Sequence, residues 1–196
     1  MISIGESCIK HYGQDYAVEI DAGAYAHLTE DFTGKTFNKN SIHKGSIGNN
    51  LALVTEYYFK KLLKSKGILV EDKSKEHELW DFVVLGRKID VKSKRRNTKP
   101  RIDYDYHVDS SQLAHKCTSY VFSDVFYPDK NADMPVYIGY AGWTSKAEFM
   151  QDSTEKKAGD ICVVTGFVEK VDCRKLNSWW LHKMDHLIVH MLRLQG

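Results

Sequence analysis

Leu79-Trp80-Asp81-Phe82-Val83-Val84-Leu85-Gly86-Arg87-Lys88-Ile89-Asp90-Val91-Lys92 is the stretch on which the reading of this chain turns. Two β-rich runs flank Gly86-Arg87, and glycine followed by another residue signals a two-residue hairpin turn. With the turn there, residue 85 opposes 88, 83 opposes 90 and 81 opposes 92. Directly opposed residues share a face, as do residues two apart on one strand. The spacing therefore predicts Asp81, Asp90 and Lys92 on one face and Phe82, Val84, Ile89 and Val91 on the other. Two carboxylates and an ammonium on one side of a hairpin can hold a divalent metal beside a positioned water, the chemistry of phosphodiester hydrolysis. The competing reading is a hairpin with one solvated face, where Asp81 and Lys92 form an ordinary cross-strand ion pair.

Upstream, residues 49–65 predict a helix, because Leu51, Val54, Thr55, Tyr58 and Leu62 recur at helical spacing and Lys66-Gly67 ends the pattern. Residues 68–70 read as a first strand and 71–78 as a polar link. Downstream, 104–108 reads as a short strand, 110–116 as a brief helix, and 119–126 and 136–140 as buried strands. Thr144 is a candidate N-cap for a helix over 144–150, with Glu148 four residues on. Residues 161–168 predict another strand and 176–194 a last helix. Residues 1–45, rich in Gly, Asn, Thr and aromatics, show only a candidate strand at 16–20. No repeat, low-complexity run or proline-rich linker breaks the chain. The sum is a single α/β domain on a mixed central sheet with flanking helices. It divides into an N-terminal extension over 1–48, a core over 49–127, and C-terminal strands and a helix over 128–196.

A chain of 196 residues suits one domain with a real core. Its 42% hydrophobic and 28% charged content is that of an ordinary globular protein. A net charge of +2 does not by itself point to nucleic acid, but its distribution does. From Arg87 to Arg101 the basic residues are Arg87, Lys88, Lys92, Lys94, Arg95, Arg96, Lys99 and Arg101, with Asp90 the one acid among them. A solvated loop is the bland reading of such a run. Its departure from the strand bearing Asp90 and Lys92 argues instead for a phosphate-binding surface made of Lys94, Arg95, Arg96, Lys99 and Arg101. Cys8, Cys117, Cys162 and Cys173 are scattered, with no Cys-x-x-Cys pair. No signal-like or membrane-spanning apolar run is present, so the sequence reads as intracellular, with reduced thiols and no membrane partner.

The order helix, strand, strand with Asp81, strand with Asp90-x-Lys92, then helix and strand resembles the PD-(D/E)XK nuclease superfamily over roughly residues 49–127. Trp80 stands where the family name has proline, which many members lack. The resemblance implies a restriction endonuclease-like core and a Mg²⁺-dependent nuclease, with Mn²⁺ as a substitute, acting on nucleic acid, DNA before RNA. Asp81 and Asp90 would bind the metal, with the Val91 carbonyl as a third protein ligand. Lys92 would orient or help deprotonate the attacking water. Glu56, on the first core helix, would complete the shell. The bland reading of Glu56 is a surface pair with Lys60, four residues on. A homodimer is compatible with such an enzyme. The alternative to catalysis is a nucleic-acid-binding protein that keeps the fold without cutting, against which the intact Asp, Asp and Lys argue.

Other motifs weigh less. Gly34-Lys35-Thr36 echoes a phosphate-binding loop but has Thr29 where glycine is needed. Gln112 matches a glutamine of one superfamily subset, but Tyr120 follows too late, and a surface residue is the better reading. His182, His186 and His190 are spaced i, i+4, i+8, which could bind zinc on one helix face. Lys183 and Arg193 share that face, which favours a solvated one. Cys162 and Cys173 have no histidine at zinc spacing and read as packing residues.

Overall fold

In the computed structural model, which describes residues 3–30, 46–73, 80–162 and 166–196, the chain runs through five α-helices and nine strands. In order these are α1 (Ile4–Tyr12), β1 (Ala17–Glu19), α2 (Ala22–Glu30), α3 (Ser46–Ser65), β2 (Glu71–Asp72), β3 (Phe82–Val84), β4 (Arg87–Arg96), β5 (Asp105–Asp109), β6 (Ser119–Phe126), β7 (Tyr137–Ser145), α4 (Lys146–Asp152), β8 (Thr154–Lys156), β9 (Cys173–Asn177) and α5 (Met184–Gln195). One six-stranded sheet has the order β1-β7-β6-β4-β3-β2 and a second, three-stranded sheet the order β5-β9-β8. Among the described residues only β4 and β6 run parallel; the other strand pairs are antiparallel. Among the described residues no helix is long and apolar enough to cross a membrane.

The β6 strand is the keystone because all eight of its residues are buried. A strand covered on both faces needs a near-continuous apolar run, and its side chains divide between two cores. Val121 and Val125 pack with Val54, Phe59 and Leu63 of α3 and with Leu187, Ile188 and Met191 of α5. Tyr120 and Phe122 face the other way, onto Tyr106 and Val108 of β5, Leu176 of β9 and Phe149 of α4.

Helix α3 follows its apolar spacing and stops at Gly67, whose φ of 75° lets Ile68 N–H reach Leu63 O at 3.0 Å and Gly67 N–H reach Lys64 O at 3.0 Å. The sequence over 68–70 continues without ladder pairing, and the edge strand forms at Glu71–Asp72 instead, opposite Val83 and Phe82. The N-terminal region holds two helices beside the expected strand. Helix α1 starts at a capping box in which Ser3 and Glu6 satisfy each other's backbone N–H.

Three further expectations are corrected. The cap of α4 is Ser145, not Thr144, because Ser145 lies three residues before Glu148 and the reciprocal box closes there. Residues 161 and 168 form an isolated bridge and no longer strand among the described residues. The expected helix over 176–194 begins only at Met184: Leu176 is drawn into β9 opposite Tyr106, and Ser178–Trp180 make a 3₁₀ turn. His182 thus lies outside the helix, in a bridge with Trp143, with Nε2 3.1 Å from Glu148 Oε1, while His190 Nε2 is 2.8 Å from Arg87. The three histidines do not form one helical face. Gly34-Lys35-Thr36 lies outside the described residues.

Candidate active site

The hairpin forms, but its turn sits one residue earlier than expected. Leu85 and Gly86 occupy it with φ of 50° and 78°, the two positive values of a type I′ turn. Glycine is thus used in the second central position rather than the first, and the ladder reads Val84↔Arg87, Val83↔Lys88 and Phe82↔Ile89. Each pair is displaced by two residues from the expected one, so the alternation stays in phase. Phe82, Val84, Ile89 and Val91 still enter the α3/α5 core.

Regular pairing ends beside Asp81. Its N–H donates to Ile89 O at 2.9 Å, and its Oδ2 accepts the Val91 N–H at 2.7 Å. The carboxylate thereby occupies the line of the ladder where β3 has run out. The expected opposition of Asp81 and Lys92 is not formed; Lys92 instead turns to its own strand, Nζ 2.7 Å from Asp90 Oδ2. His115, from the connection before β6, adds a second nitrogen, Nδ1 at 3.9 Å from the same oxygen. Lys60 is 2.6 Å from Asp72, so the surface pair expected for Glu56 is not what holds that lysine.

Glu56, Asp81, Asp90 and Lys92, from α3, the β3 end and β4, act on one another electrostatically. Burial raises the Glu56 pKa well above the ordinary carboxylate range, and the charges of Asp81, Asp90 and Asp72 raise it further. Burial and then Asp90 push Asp81 up to about 7, against the opposing pull of Lys92 and the Val91 N–H. Asp90 is only 5% exposed, yet Lys92 and then His115 outweigh the burial and hold its pKa down. Asp90 in turn, opposing burial, holds Lys92 up and charged. The group therefore carries one firmly ionised carboxylate, one firmly ionised amine and two carboxylates that resist ionisation.

Among the described residues no three His, Cys, Asp or Glu side chains converge as a metal-holding group. Magnesium commonly uses only one or two protein carboxylates and keeps its waters. The all-oxygen set of Glu56, Asp81 and Asp90 has that chemistry, and a divalent cation would relieve the repulsion among the three. What suits such an ion here is the oxygen chemistry of these carboxylates, not a converged three-residue cluster.

The basic stretch is placed differently from the expectation. Lys94, Arg95 and Arg96 belong to β4, not to a loop. Lys94 Nζ donates to Asp105 O at 3.1 Å, and burial first, then Arg96, lowers its pKa to about 8. Arg95 donates to Lys130 O and Ala132 O and lies 3.8 Å over the Tyr127 ring. Arg96 Nε donates to Asp124 at 2.5 Å, and its guanidinium lies 3.6 Å over Tyr104. Only Lys99 and Arg101 stand on the loop, both exposed, Arg101 held by Asp103 at 2.8 and 2.5 Å. Gln112 ends a 3₁₀ turn, half-buried. His115 was missed by the sequence reading, since nothing local ties residue 115 to Asp90.

Fold and site define an α/β protein in which a β-hairpin and a helix bring one buried and two half-buried carboxylates near a lysine. No protein-family model, curated protein or solved structure matches the chain.

Asp81 and Glu56 tie the site to stability. A carboxyl whose folded pKa is raised stabilises fully below its unfolded value, near 3.8 for Asp81, and loses that contribution as pH rises through about 7. Asp90 is held below and Lys92 above its ordinary value, so both keep their charge across that window. A cation that accepts the ionised carboxylates should therefore stabilise more at pH 8 than at pH 5. Paired thermal melts with and without Mg²⁺ are expected to show a shift that grows across this range. Taking the difference removes His11 and His107, whose burial lowers their pKa in either condition. A shift that is equal at both pH values would exclude these carboxylates as the ion's ligands.

Proposed function

We propose that the protein is a divalent-metal-dependent nuclease of the PD-(D/E)XK type acting on DNA. The observation that carries this reading is that Glu56, Asp81, Asp90 and Lys92, from three separate elements, form one electrostatically interacting group around the buried Asp90. The element order supports it as well: α3, β2, β3 starting just after Asp81, β4 bearing Asp90 and Lys92, then β5, a 3₁₀ turn and β6.

Asp90 and Asp81 would hold Mg²⁺, with Glu56 and the Val91 carbonyl completing the protein's share. Mg²⁺ in such a set supplies a water of lowered pKa and offsets charge on the phosphate. Asp90 stays ionised through Lys92 and so offers a permanent oxygen ligand. Lys92 keeps its positive charge beside the reacting phosphate, where developing negative charge is best stabilised by a fixed cation in a desolvated site. The Val91 N–H fixes the orientation of Asp81. Incubating pure protein with supercoiled, linear, single-stranded and junction DNA, plus RNA, in Mg²⁺ or Mn²⁺ tests the reading. Metal-dependent cleavage that EDTA abolishes is expected, and no cleavage of any substrate would overturn it.

The contacts of β4 also redistribute the phosphate-binding role. Replacing Arg95 and Arg96 together by alanine is expected to lower thermal stability and leave the salt dependence of duplex binding nearly unchanged. Lys99→Ala should make the log–log slope shallower by about 0.9, one phosphate contact. Affinity for one duplex at several salt concentrations in Ca²⁺ measures both. A slope shallower by about two units in the arginine double variant would restore those arginines to the DNA surface.

A further inference from the structure

Two adjacent tryptophans stand out from the end of the second sheet. Trp179 is 69% exposed and Trp180 64%, more than any other aromatic among the described residues. Isolated exposed apolar residues are ordinary, but paired indoles in water are a signal of contact. The segment carrying them is firmly held. Asn177 accepts the Trp179 N–H at 3.1 Å, Leu181 N–H returns to Ser178 O at 3.1 Å, and Ser178 reaches Tyr104 O and Ile102 O at 2.9 and 2.5 Å. Those last bonds join the indoles to the loop of Lys99 and Arg101 and to Ile102, which is itself exposed.

The stretch of chain that carries them has charge of one sign. Residues 174–183 contain Arg174, Lys175 and Lys183 and no Asp or Glu. Arg174 is bonded to Ser153 and Lys175 is paired with Glu169, while Lys183 is exposed. The acids of the adjoining segment are engaged, Asp103 by Arg101 and Asp105 by Asn177. Flat aromatic faces on a cationic stretch of chain, next to the exposed Lys183 and Lys99, suit a polyanion that offers ring faces. Duplex DNA hides its base faces, and unpaired DNA presents them, each able to stack on an aromatic ring without regard to sequence. The platform also belongs to elements bonded to the catalytic strand. Its strand β9 pairs with β5, and Lys94, two residues beyond Lys92, donates to the Asp105 carbonyl of β5.

We propose that Trp179 and Trp180 form a stacking platform for unpaired bases of DNA, so that single-stranded or frayed DNA is the form the protein prefers. This rests on the nuclease reading and narrows its substrate.

The full chain, in EDTA to prevent cutting, is titrated with a labelled twelve-nucleotide single strand and with the matching duplex, following anisotropy and tryptophan emission. The wild type is expected to bind the single strand with quenching of its emission. W179A/W180A should lose at least about tenfold in single-strand affinity, one to two stacked bases' worth, and change less than about twofold for duplex. W179F/W180F should recover most of the loss, since phenyl rings still stack. An alanine variant with unchanged single-strand affinity, or with equal losses on both DNAs, overturns the platform. So does a wild type whose self-association vanishes in W179A/W180A while single-strand binding persists, which would assign the indoles to a second copy. A protein that binds the single strand through the indoles but never cleaves sinks the nuclease reading and leaves the platform. Cleavage that W179A/W180A leaves unaltered on both strand forms does the reverse.

Discussion

Replacing Asp90 with alanine is expected to abolish Mg²⁺-dependent cleavage, by about 10³-fold or more, the loss that follows removal of a charge-stabilising group in a desolvated site. Asp90 is the one carboxylate of the group held firmly ionised, so nothing nearby substitutes for it as a ligand. The change also takes from Lys92 the oxygen now 2.7 Å from its ammonium. Breaking a buried pair by removing one partner is costly, and about 3 kcal/mol of stability should be lost as well. Asp90→Asn keeps the shape of the side chain and separates the two effects: it should fold better than the alanine variant and still fail to cut. Lys92→Ala should instead reduce turnover sharply while nucleic-acid affinity stays within a few-fold, because its charge acts mainly in the transition state. Steady-state cleavage, with binding measured in Ca²⁺, distinguishes these outcomes. Activity of Asp90→Ala within tenfold of wild type, or cleavage that survives a chelator, would refute the assignment.

The second large effect lies away from the site. Asp124 of β6 is fully buried, and its two oxygens accept Arg96 Nε at 2.5 Å, Tyr106 OH at 2.5 Å and Tyr12 OH at 2.7 Å. One carboxylate thus binds α1, the main sheet and the second sheet together. Burial, then Asp124 itself, raises the pKa of both tyrosines far above their ordinary range, so both remain neutral donors. Asp124→Ala leaves three donors, one of them the charged Arg96 guanidinium, without their acceptor. The expected loss is about 3–5 kcal/mol, or roughly 10 °C or more in Tm for a chain of this length. Urea unfolding in EDTA measures it without interference from metal. A loss below about 1 kcal/mol would mean that water or another acceptor takes over the three donors.

The parts of the fold legible in the sequence are those whose stabilising contacts repeat along the chain. Helix α3 was readable because every third or fourth residue from Leu51 to Leu62 faces one core. The β6 strand was readable because burial on both faces makes it mostly apolar and aromatic, with Ser119, Ser123 and Asp124 the exceptions, and it runs over the expected residues. The hairpin was readable from Gly86, though not its register, since a glycine can serve either central position, and here it takes the second, with Leu85 at positive φ in the first. Helix α1 was legible in principle: Ser3 and Glu6 spell a capping box that the reading passed over.

What the sequence alone determined about this protein is local: the α3 and β6 elements, a turn at Gly86, and the alternation that puts Ile89 and Val91 on one side of β4 and Asp90 and Lys92 on the other. That alternation survived the displaced turn because the shift was an even number of residues. Tertiary structure decided everything that depends on a partner far along the chain. It drew Leu176 out of a helical pattern into β9, because a strand's hydrogen bonds are satisfied by β5, some seventy residues earlier. It turned Lys94, Arg95 and Arg96 from a solvated run into a bonded strand, because Asp105, Ala132 and Asp124 supply acceptors no local pattern announces. It also paired Lys92 with Asp90 rather than Asp81, since Asp81 was taken up by the Val91 N–H at the end of the ladder. Short-range periodicity records which face a side chain takes; which charge it meets there is set by strands that only the folded chain brings alongside.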